Sequence, residues 1–364
     1  MADRGNRLYR LIDFWAGVPL VFLFGLFRKR KKVLPTENYV SRIAILATAA
    51  IGDTILMSAV LADLREKYPG TELFLFTGSS NMAIAEMICP GYTILRISVS
   101  RPLKSIRGIR RMGYFDIWLD FGPWPRINAL FTAASRSCYT VGFRTPGQYR
   151  HFIYDNPVLH RNDCHELENL RALVAATGVK SNSIPMIEPL WNSDKHGDYT
   201  VIHMFPGGYK SHFKEWSRKN WLELIKNLTS RGYPVIITGA PENRIPAEDL
   251  VSECSDSGLI RNKAGDIPLK DLPEILREAR LVISVNTGIM HMAAACGSPL
   301  IALHGPTSVL RWGPVSERAV NIQATSPSAG ILNLGFEYDR KDPRSMDTIS
   351  PLYVFTEALK ILDE

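Results

Sequence analysis

Cysteine is scarce in this chain: five occur among 364 residues, and no two of them stand in a C-x-x-C spacing. An odd number at irregular intervals favours neither a disulfide framework nor a zinc site. We therefore expect reduced, mostly buried thiols in a reducing compartment. The five are Cys89, Cys138, Cys164, Cys254 and Cys296.

The common glycine-rich phosphate motifs are also missing. Neither G-x-G-x-x-G nor G-x-x-x-x-G-K-[ST] occurs, which argues against an ordinary dinucleotide oxidoreductase and against a P-loop NTPase. No Asp-x-Asp motif suited to a divalent cation stands at the end of a predicted strand, and no short-period repeat is present. If the chain binds a nucleotide phosphate, another arrangement of residues must hold it.

A surplus of charge is absent from most of the chain. The net charge is +7, but residues 1–40 carry eight Lys and Arg against three acids, whereas the remaining residues carry 35 bases and 33 acids. A nucleic-acid-binding surface requires basic side chains spread over a folded face, with aromatic side chains among them. We therefore expect no nucleic-acid partner.

The N-terminus does have an uninterrupted apolar run of 14 residues, Phe14–Phe27, followed at once by five cations from Arg28 to Lys32. As a helix the run would be about 21 Å long, shorter than the roughly 30 Å hydrocarbon core of a bilayer. Pro19 predicts a kink within it. The five cations stand where a signal peptide would have its small-residue cleavage site.

Three interpretations of this segment are open. It is an interfacial or re-entrant anchor whose cations meet anionic headgroups, a short spanning helix, or a hydrophobic arm that packs on the protein itself. We favour the interfacial anchor and expect residues 8–32 to bind a membrane surface. The cations then mark the cytoplasmic side.

Length and composition predict two domains, because 364 residues with 46% hydrophobic and 22% charged side chains exceed one typical core. From Ser41 onward, strand-like apolar runs alternate with helical patterns, which is typical of parallel α/β architecture. A polar, Pro-containing stretch at Ser181–Tyr199 predicts a linker between two Rossmann-like halves that face a central cleft. The expected boundaries are 1–40 for the membrane-associating arm, 41–185 for the N-terminal domain, 198–345 for the C-terminal domain and 346–364 for a final helix.

Individual elements are predicted by their periodicity and by the residues that stop them. The expected strands are Arg42–Thr48, Glu72–Thr77, Thr93–Val99, Asp116–Asp120, Tyr139–Phe143, Thr200–Met204, Val235–Thr238, Leu259–Lys263, Leu281–Val285 and Leu300–His304. The expected helices are Thr54–Tyr68, Leu103–Met112, Arg218–Ser230, Pro246–Ser255, Leu269–Ala279, His291–Ala295 and Leu352–Leu362.

The segment Ala49-Ala50-Ile51-Gly52-Asp53-Thr54 lies where the first strand ends and its helix begins. In open α/β sheets, ligands bind outside the carboxyl ends of the strands. Gly52 lets a ligand approach the backbone, and a carboxylate at Asp53 can act as general base on an incoming hydroxyl. The alternative is structural: Asp is a favoured helix cap, and Asp53 then only satisfies backbone amides.

A second candidate loop, Phe205-Pro206-Gly207-Gly208, follows the first strand of the second half and precedes Lys214-Glu215-Trp216-Ser217. The two glycines expose backbone amides, and Lys210 and Lys214 add cations, which suits a diphosphate. Gly-Gly loops and surface lysines are also common where no ligand binds.

The third candidate is the run Ser284-Val285-Asn286-Thr287-Gly288-Ile289-Met290-His291, followed by an Ala-rich segment and His304-Gly305-Pro306-Thr307. A buried strand leads directly into a short helix, whose N-terminal amides and dipole form an anion site to which Thr287 adds a hydroxyl. His291 is either a phosphate donor or a packed core residue. Asn286 either binds a sugar hydroxyl or holds the turn.

Together these residues resemble glycosyltransferase family 9, which contains the lipopolysaccharide core heptosyltransferases. The resemblance runs from about Arg42 to Pro314 and rests on I-G-D-T, F-P-G-G…K-E-W-S…W-L-E-L, T-G-A-P-E and S-V-N-T-G-I-M-H-M-A-A-A-C-G-S-P-L-I-A-L-H-G-P-T…R-W-G-P. Looser matches are Asp120-Phe121-Gly122…Arg126 and Val141-Gly142-Phe143. It implies a GT-B fold, with the acceptor on the N-terminal domain and the nucleotide-sugar on the C-terminal one.

Individual roles follow from the resemblance by motif. Asp53 corresponds to the proposed general base and Lys214 to a lysine on the donor phosphates. The family usually has Asp where this chain has Asn286, at a position associated with the donor sugar. The remaining donor-binding candidates are Gly207, Gly208, Glu242 near the nucleotide, Leu269 near the base pocket, Thr287, Gly288 and His291. The acceptor-binding candidates are Gly52, Arg126 and Arg144, the arginines being suited to a phosphorylated or acidic glycolipid.

The expected function is inverting, single-displacement transfer of a sugar, by family default heptose from ADP-heptose, to a lipopolysaccharide-core or related glycolipid. No metal and no cofactor is expected, because Lys214, backbone amides and a helix start stabilise the departing nucleoside diphosphate. The expected location is the cytoplasmic face of the bacterial inner membrane, peripheral or monotopic. Two alternatives are a nucleotide-sugar epimerase of GT-B fold and a catalytically inactive membrane-bound sugar- or lipid-binding protein.

Overall fold

The structure, a computed structural model, describes residues 7–28, 31, 33–254, 258–335, 337–339 and 342–363. The chain divides between Ile184 and Pro185 into two compact units, which we call the N-terminal unit and the C-terminal unit. This boundary falls inside the linker predicted at Ser181–Tyr199.

The N-terminal unit contains one parallel sheet of six strands in the order β3-β2-β1-β4-β5-β6. Its strands are β1 Arg42–Ala47, β2 Glu72–Thr77, β3 Tyr92–Arg96, β4 Tyr114–Asp120, β5 Arg136–Arg144 and β6 Asn156–Leu159. Its helices are α1 Arg7–Trp15, α2 Gly17–Phe27, α3 Ile51–Lys67, α4 Met82–Ile88, α5 Pro102–Arg111, α6 Arg126–Ala134 and α7 Glu166–Ala175.

The C-terminal unit repeats the plan with the strand order β12-β11-β10-β7-β8-β9. Its strands are β7 Thr200–His203, β8 Val235–Thr238, β9 Ile260–Asn262, β10 Leu281–Val285, β11 Leu300–His304 and β12 Ala319–Gln323. Its helices are α8 Arg218–Ser230, α9 Arg244–Ser252, α10 Leu272–Glu278, α11 Gly288–Ala295, α12 Val309–Trp312 and α13 Pro351–Leu362.

Each sheet has one point where the strand order reverses. In the N-terminal unit it lies between β1 and β4, and in the C-terminal unit between β7 and β10. The loops that leave the carboxyl ends of two such strands diverge to opposite faces and open a crevice, which is where doubly wound folds bind ligands. Three of the four loops at these points are the candidate loops of the sequence, and the fourth connects Asp120, at the end of β4, to Arg126, at the start of α6.

The prediction of two parallel α/β halves is confirmed, and the central strands fall within a few residues of their predicted bounds. The strands β6 and β12 were missed. Both lie at sheet edges, and their residues are only partly buried, so they lack the continuous apolar run that marks a strand covered on both faces.

The C-terminal unit has a core that explains part of the K-E-W-S…W-L-E-L motif. Trp216 is 2% exposed and Trp221 is fully buried, and their rings pack edge to face with centroids 4.8 Å apart. The Trp216 indole N–H donates to the Ile349 carbonyl at 3.0 Å, just ahead of α13. These two residues therefore stabilise the unit rather than bind a ligand.

The N-terminal segment forms α1 and α2, and α2 packs on the N-terminal unit through Gly17 and Val21. The third interpretation of this segment expected an arm that packs on the protein itself. The predicted kink at Pro19 is wrong: the helices are separated at Ala16, and Pro19 lies in the first turn of α2, where its missing N–H costs nothing. Among the described residues no helix is long and apolar enough to cross a bilayer. Lys29, Arg30 and Lys32 of the basic run lie outside the described residues.

Candidate functional site

In the N-terminal unit, the loop after β1 carries Asp53 to the carboxyl edge of the sheet. Asp53 is half-buried in the first turn of α3, and its Oδ2 accepts the Ala50 backbone N–H at 3.1 Å. The capping contact considered as the structural alternative therefore exists, through Oδ2 of the carboxylate. Gly52 beside it is buried, with no side chain to crowd the loop.

A side chain that the sequence did not point to braces this loop. Asn81, fully buried after β2, donates its amide to the Ala47 carbonyl at 2.9 Å and to the Thr54 hydroxyl at 3.1 Å. Its Oδ1 accepts the Gly78 N–H at 3.0 Å. Asn81 thus fixes the loops after β1 and β2 to each other, which limits movement of the neighbouring Asp53.

The loop after β4 is held by a buried charge network. Asp120 accepts from the Arg150 guanidinium at 2.5 Å and from the Tyr154 hydroxyl at 2.6 Å, and all three residues are fully buried. Burial lowers the pKa of Arg150, but Asp120, Tyr154 and Asp13 together raise it above its ordinary value, so the guanidinium stays charged. The Tyr154 ring lies over Gly142, where an added Cβ would come within 2.4 Å of it. The D-F-G and V-G-F segments therefore position this loop.

The two predicted acceptor arginines have different surroundings. Arg126 is 4% exposed, and its guanidinium pairs with Asp13 of α1 at 3.1 Å and donates to the Gly147 carbonyl at 3.2 Å. These contacts connect Arg126 to α1 and to the loop after β5, and its acceptor-binding role stays a prediction. Arg144, at the end of β5, is exposed, and its acceptor-binding role stays a prediction.

In the C-terminal unit, the loop after β7 presents the expected amides and cations. Gly207 and Gly208 are exposed, and Gly208 has a φ of +94°, a conformation that favours glycine. The Lys214 ammonium donates to the Gly207 carbonyl at 2.8 Å, so this cation lies against the glycines. The Lys210 ammonium lies 5.3 Å from the centre of the Phe213 ring, a cation–π distance.

The loop after β10 leads directly into α11. Thr287 is the N-cap of this helix, and its hydroxyl oxygen accepts the Ile289 N–H at 3.1 Å. The hydroxyl proton is not used by that contact, so Thr287 can cap the helix and still donate to an anion at its positive end. Gly288 is half-buried in the first turn, and His291 is 6% exposed in the second.

Asn286 is fixed by a chain of neutral hydrogen bonds. Its Nδ2 donates to the Trp312 carbonyl at 3.0 Å and approaches His304 Nδ1 at 3.3 Å, while His304 Nε2 lies 3.0 Å from Asn321 Oδ1. Burial lowers the pKa of His304 to about 4, so at neutral pH its single proton is on Nε2 and its Nδ1 accepts. A carboxylate at position 286 could donate to neither acceptor, and its oxygens would repel the Trp312 carbonyl and His304 Nδ1. The departure from the family's acid therefore fits the surroundings in this chain.

Glu242 and Leu269 lie in the segments that follow β8 and β9, the two strands beyond the reversal point. Glu242 is exposed in a 3-10 turn, Pro241–Asn243, that follows β8, and half-buried Leu269 lies between β9 and α10. Consecutive parallel strands therefore carry all the predicted donor-binding residues to one edge of this sheet. Their individual roles stay predictions.

The two edges offer different chemistry. The C-terminal unit combines exposed glycine amides, a lysine and a capped helix N-terminus, which together suit a diphosphate. The N-terminal unit offers a partly exposed carboxylate held in place by its own helix. A carboxylate is suited to accept a proton from a hydroxyl, and the second set of donors is suited to a departing diphosphate.

Comparison with known proteins agrees with these features. The model of the family described as glycosyltransferase family 9 (heptosyltransferase) matches residues 129–331, more than half of the chain. Lipopolysaccharide heptosyltransferase 1 of Salmonella typhimurium is 32% identical over 322 residues, covering 80% of this chain and 96% of that protein. Lipopolysaccharide heptosyltransferase 2 of the same organism is 27% identical over 358 residues, covering 89% and 99%.

The fold is shared with solved heptosyltransferases. The structure of E. coli ADP-heptose lps heptosyltransferase II superposes with a TM-score of 0.69 at 18% identity, covering 88% of this chain and 98% of that one. The family match supports a transferase over the epimerase and over an inactive binding protein. With two parallel α/β units, the loop set at their reversal points and these matches, the chain belongs to glycosyltransferase family 9, the heptosyltransferases.

Proposed function

We propose that this glycosyltransferase moves heptose from ADP-heptose to a lipopolysaccharide-core glycolipid with inversion at the anomeric carbon. The observation that carries the proposal is the placement of Asp53 at one strand-order reversal and of the amide, lysine and helix-start set at the other. Relatives named as lipopolysaccharide heptosyltransferases match 80% and 89% of this chain, which supports both the donor and the acceptor class.

In the proposed step, the acceptor hydroxyl oxygen attacks the anomeric carbon and its proton passes to an Asp53 oxygen. The bond from the anomeric carbon to the diphosphate oxygen breaks, and the electron pair leaves with the nucleoside diphosphate. The Gly207 and Gly208 amides, Lys214 and the start of α11 are arranged before the reaction, so they stabilise the charge that grows on the departing oxygen. No metal is needed for that stabilisation.

The donor is tested by thermal shift. We expect an ADP-sugar at about 100 times its dissociation constant to stabilise the protein by about 2.7 kcal/mol, and GDP- and UDP-sugars to stabilise it far less. Lys214→Ala should weaken the shift, whereas Lys219→Ala, an exposed lysine of α8, should not. ADP release from ADP-heptose should require a lipopolysaccharide-core acceptor. Equal stabilisation by all three nucleotides, or release that ignores the acceptor, would contradict the proposal.

We also propose that the enzyme binds the cytoplasmic face of the inner membrane through its N-terminal helices. Ten large apolar side chains of α1 and α2 are exposed to solvent. Leu20 is the least exposed of them at 38%, and Leu26 is the most exposed at 80%. At about 150–250 Å² for a large side chain, they present on the order of 1,000 Å², more than the roughly 300–600 Å² of the largest patch on a typical monomer. Covering a third of that area with lipid is worth several kcal/mol at about 25 cal/mol per Å².

Binding to vesicles containing phosphatidylglycerol checks this proposal. The double variant Leu23→Glu with Leu26→Glu should lower the vesicle-bound fraction at least tenfold, because it puts two charges on side chains that are 51% and 80% exposed. The matched control is Leu103→Glu with Leu352→Glu, leucines exposed to 69% and 61% on α5 and α13, and it should bind nearly as the parent does. Unchanged binding of the first variant would overturn the proposal.

A further inference from the structure

The N-terminal helices are not a loose tether, because they contact the N-terminal unit at three places along their length. We propose that α1, α2 and Arg28, together called the arm, form a rigid docking face for an anionic phospholipid bilayer, clamped to the unit that carries Asp53. The arm then holds the bilayer surface beside the edge of the sheet where a lipid-borne acceptor must present its hydroxyl. This inference rests on the proposed function and adds how its acceptor is delivered.

The first contact is made by Asp13 of α1. Its Oδ1 accepts the Ile127 backbone N–H at 3.0 Å, and its Oδ2 accepts from Arg126 at 3.1 Å. Residue 125, before α6, is a proline whose side chain provides no cap. Asp13 therefore supplies, from more than 100 residues away, the cap that α6 lacks, and it neutralises a buried guanidinium.

The second contact is close packing along α2. Gly17, Val21 and Gly25 are spaced four residues apart and form one narrow stripe of the helix. Val21 is fully buried among residues of α6 and the segment at Ile153, and an added Cβ on Gly17 or Gly25 would lie 2.9 Å from Arg126 or Phe152. The backbone of α2 therefore lies directly against the unit, and larger residues at positions 17 and 25 would prevent this close approach.

The third contact follows α2. The Arg28 guanidinium donates to Asp155 Oδ2 at 3.1 Å and to the Thr140 hydroxyl at 3.0 Å, and the Lys31 backbone N–H donates to Asp155 Oδ1 at 2.8 Å. Arg28 was expected to meet headgroups and instead holds the arm. With charged contacts at both ends and packed glycines between them, the arm is fixed in orientation.

The rest of the arm surface fits a lipid bilayer. Helix α2 is covered along the Gly17–Gly25 stripe and where the Phe22 ring packs on Phe152. Other large apolar side chains of the helix are exposed, including Phe24, Leu26 and Phe27. An apolar helix that its own protein leaves uncovered is typical of a membrane contact. The cations Lys29 to Lys32 follow directly in the sequence, and two acids of residues 1–40 are paired, Asp13 with Arg126 and Glu37 with Lys67. The positive charge that remains beside this apolar surface favours anionic headgroups over an apolar protein partner.

The position of the clamp links this surface to the reaction. Asp13 sits at the start of α6, which is the carboxyl edge of β4. The same edge carries the loop after β1, and the Thr48 hydroxyl donates to Asn128 Oδ1 of α6 at 3.0 Å. One helix therefore bears the arm on one side and contacts the Asp53 loop on the other. When the arm binds a bilayer, a sugar attached to a lipid of that bilayer therefore lies close to the carboxyl edge of the N-terminal sheet.

The clamp is tested with Asp13→Ala and with Gly25→Ala in the full-length enzyme. We expect vesicle binding and transfer to a deacylated, water-soluble acceptor to stay within about twofold of the parent, since the apolar face and the Asp53 loop are intact. Transfer to acceptor embedded in phosphatidylglycerol vesicles should fall at least tenfold, because the bilayer is no longer held at the correct edge. The matched controls are Glu37→Ala, an acid paired with an exposed lysine, and Gly108→Ala, a helical glycine with open space around it.

Several outcomes would overturn the clamp. Parent-like transfer to embedded acceptor by both variants is one, and equal loss on soluble and embedded acceptor is another, because it would mean that the arm only supports the fold. A dimer in sedimentation experiments that disappears in Leu23→Glu with Leu26→Glu would make a second copy, not lipid, the occupant. Failure of the parent enzyme on both acceptors would instead contradict the proposed function.

Discussion

Asp53→Asn should reduce kcat for heptose transfer by about 10²–10⁴-fold, the range expected when a general base is lost. The amide oxygen can still accept the Ala50 N–H that the carboxylate accepts at 3.1 Å, so the start of α3 keeps its contact. It cannot take up the acceptor proton. Donor binding should be unchanged, because the predicted donor residues lie in the other unit.

Asp53→Ala separates the two roles of this side chain. It removes the base and the cap together, so it should lose activity like the Asn variant and additionally lose about 0.5–2 kcal/mol of stability. Steady-state transfer, thermal unfolding and ADP-heptose binding measured on both variants check this. Turnover near that of the parent in Asp53→Asn would leave only the capping role and would require another base.

The fold was largely predictable because its central strands are long apolar runs. Strand β10 was placed at Leu281–Val285 from the sequence, and it is buried at every position. The helix α6 was not predicted, because its inward face carries Arg126, Asn128 and Thr132 rather than a periodic apolar stripe. Those polar residues form hydrogen bonds with Asp13, Thr48 and Trp118, which lie outside the helix, and periodicity within the helix cannot indicate such partners.

The candidate loops were predictable for a different reason. Parallel sheets bind ligands at the carboxyl ends of their strands. The position of a carboxylate or a glycine directly after a buried strand can therefore be predicted from the sequence. Tertiary partners had no such signal: Asp13 is 113 residues from Arg126, and Asp120 is 30 from Arg150. For that reason Arg126 was assigned to the acceptor from its charge alone, and its ion pair with Asp13 was not predicted.

Asn286 illustrates how a tertiary contact changes the meaning of a sequence difference. From the sequence, an amide in place of the family's acid indicates a change at the donor sugar. In the structure the amide donates to the Trp312 carbonyl and approaches Nδ1 of neutral His304. A carboxylate has no proton to donate to these two acceptors. The substitution is thus compatible with an unchanged sugar, and heptose remains the donor that we propose.

The buried charge network predicts the largest loss of stability. Asp120→Asn should lower the free energy of unfolding by about 3–5 kcal/mol, because it leaves the Arg150 guanidinium uncompensated in a fully buried site. In a unit of this size that corresponds to a fall of roughly 10 °C in Tm, measurable by circular dichroism. Transfer activity should fall as well, since the loop after β4 adjoins the Asp53 loop.

Two further variants test whether Asp120→Asn lowers the stability because a buried charge loses its partner or because the local geometry changes. Tyr154→Phe removes one hydrogen bond to Asp120 but leaves the ion pair, so it should cost less than Asp120→Asn. Asp120→Leu combined with Arg150→Met removes both charges together and should recover much of the stability, because no ion is left without its partner. A double variant as unstable as Asp120→Asn would mean that the network is required for the geometry of the Gly122 turn, whose N–H Asp120 accepts at 3.0 Å, and not for charge balance.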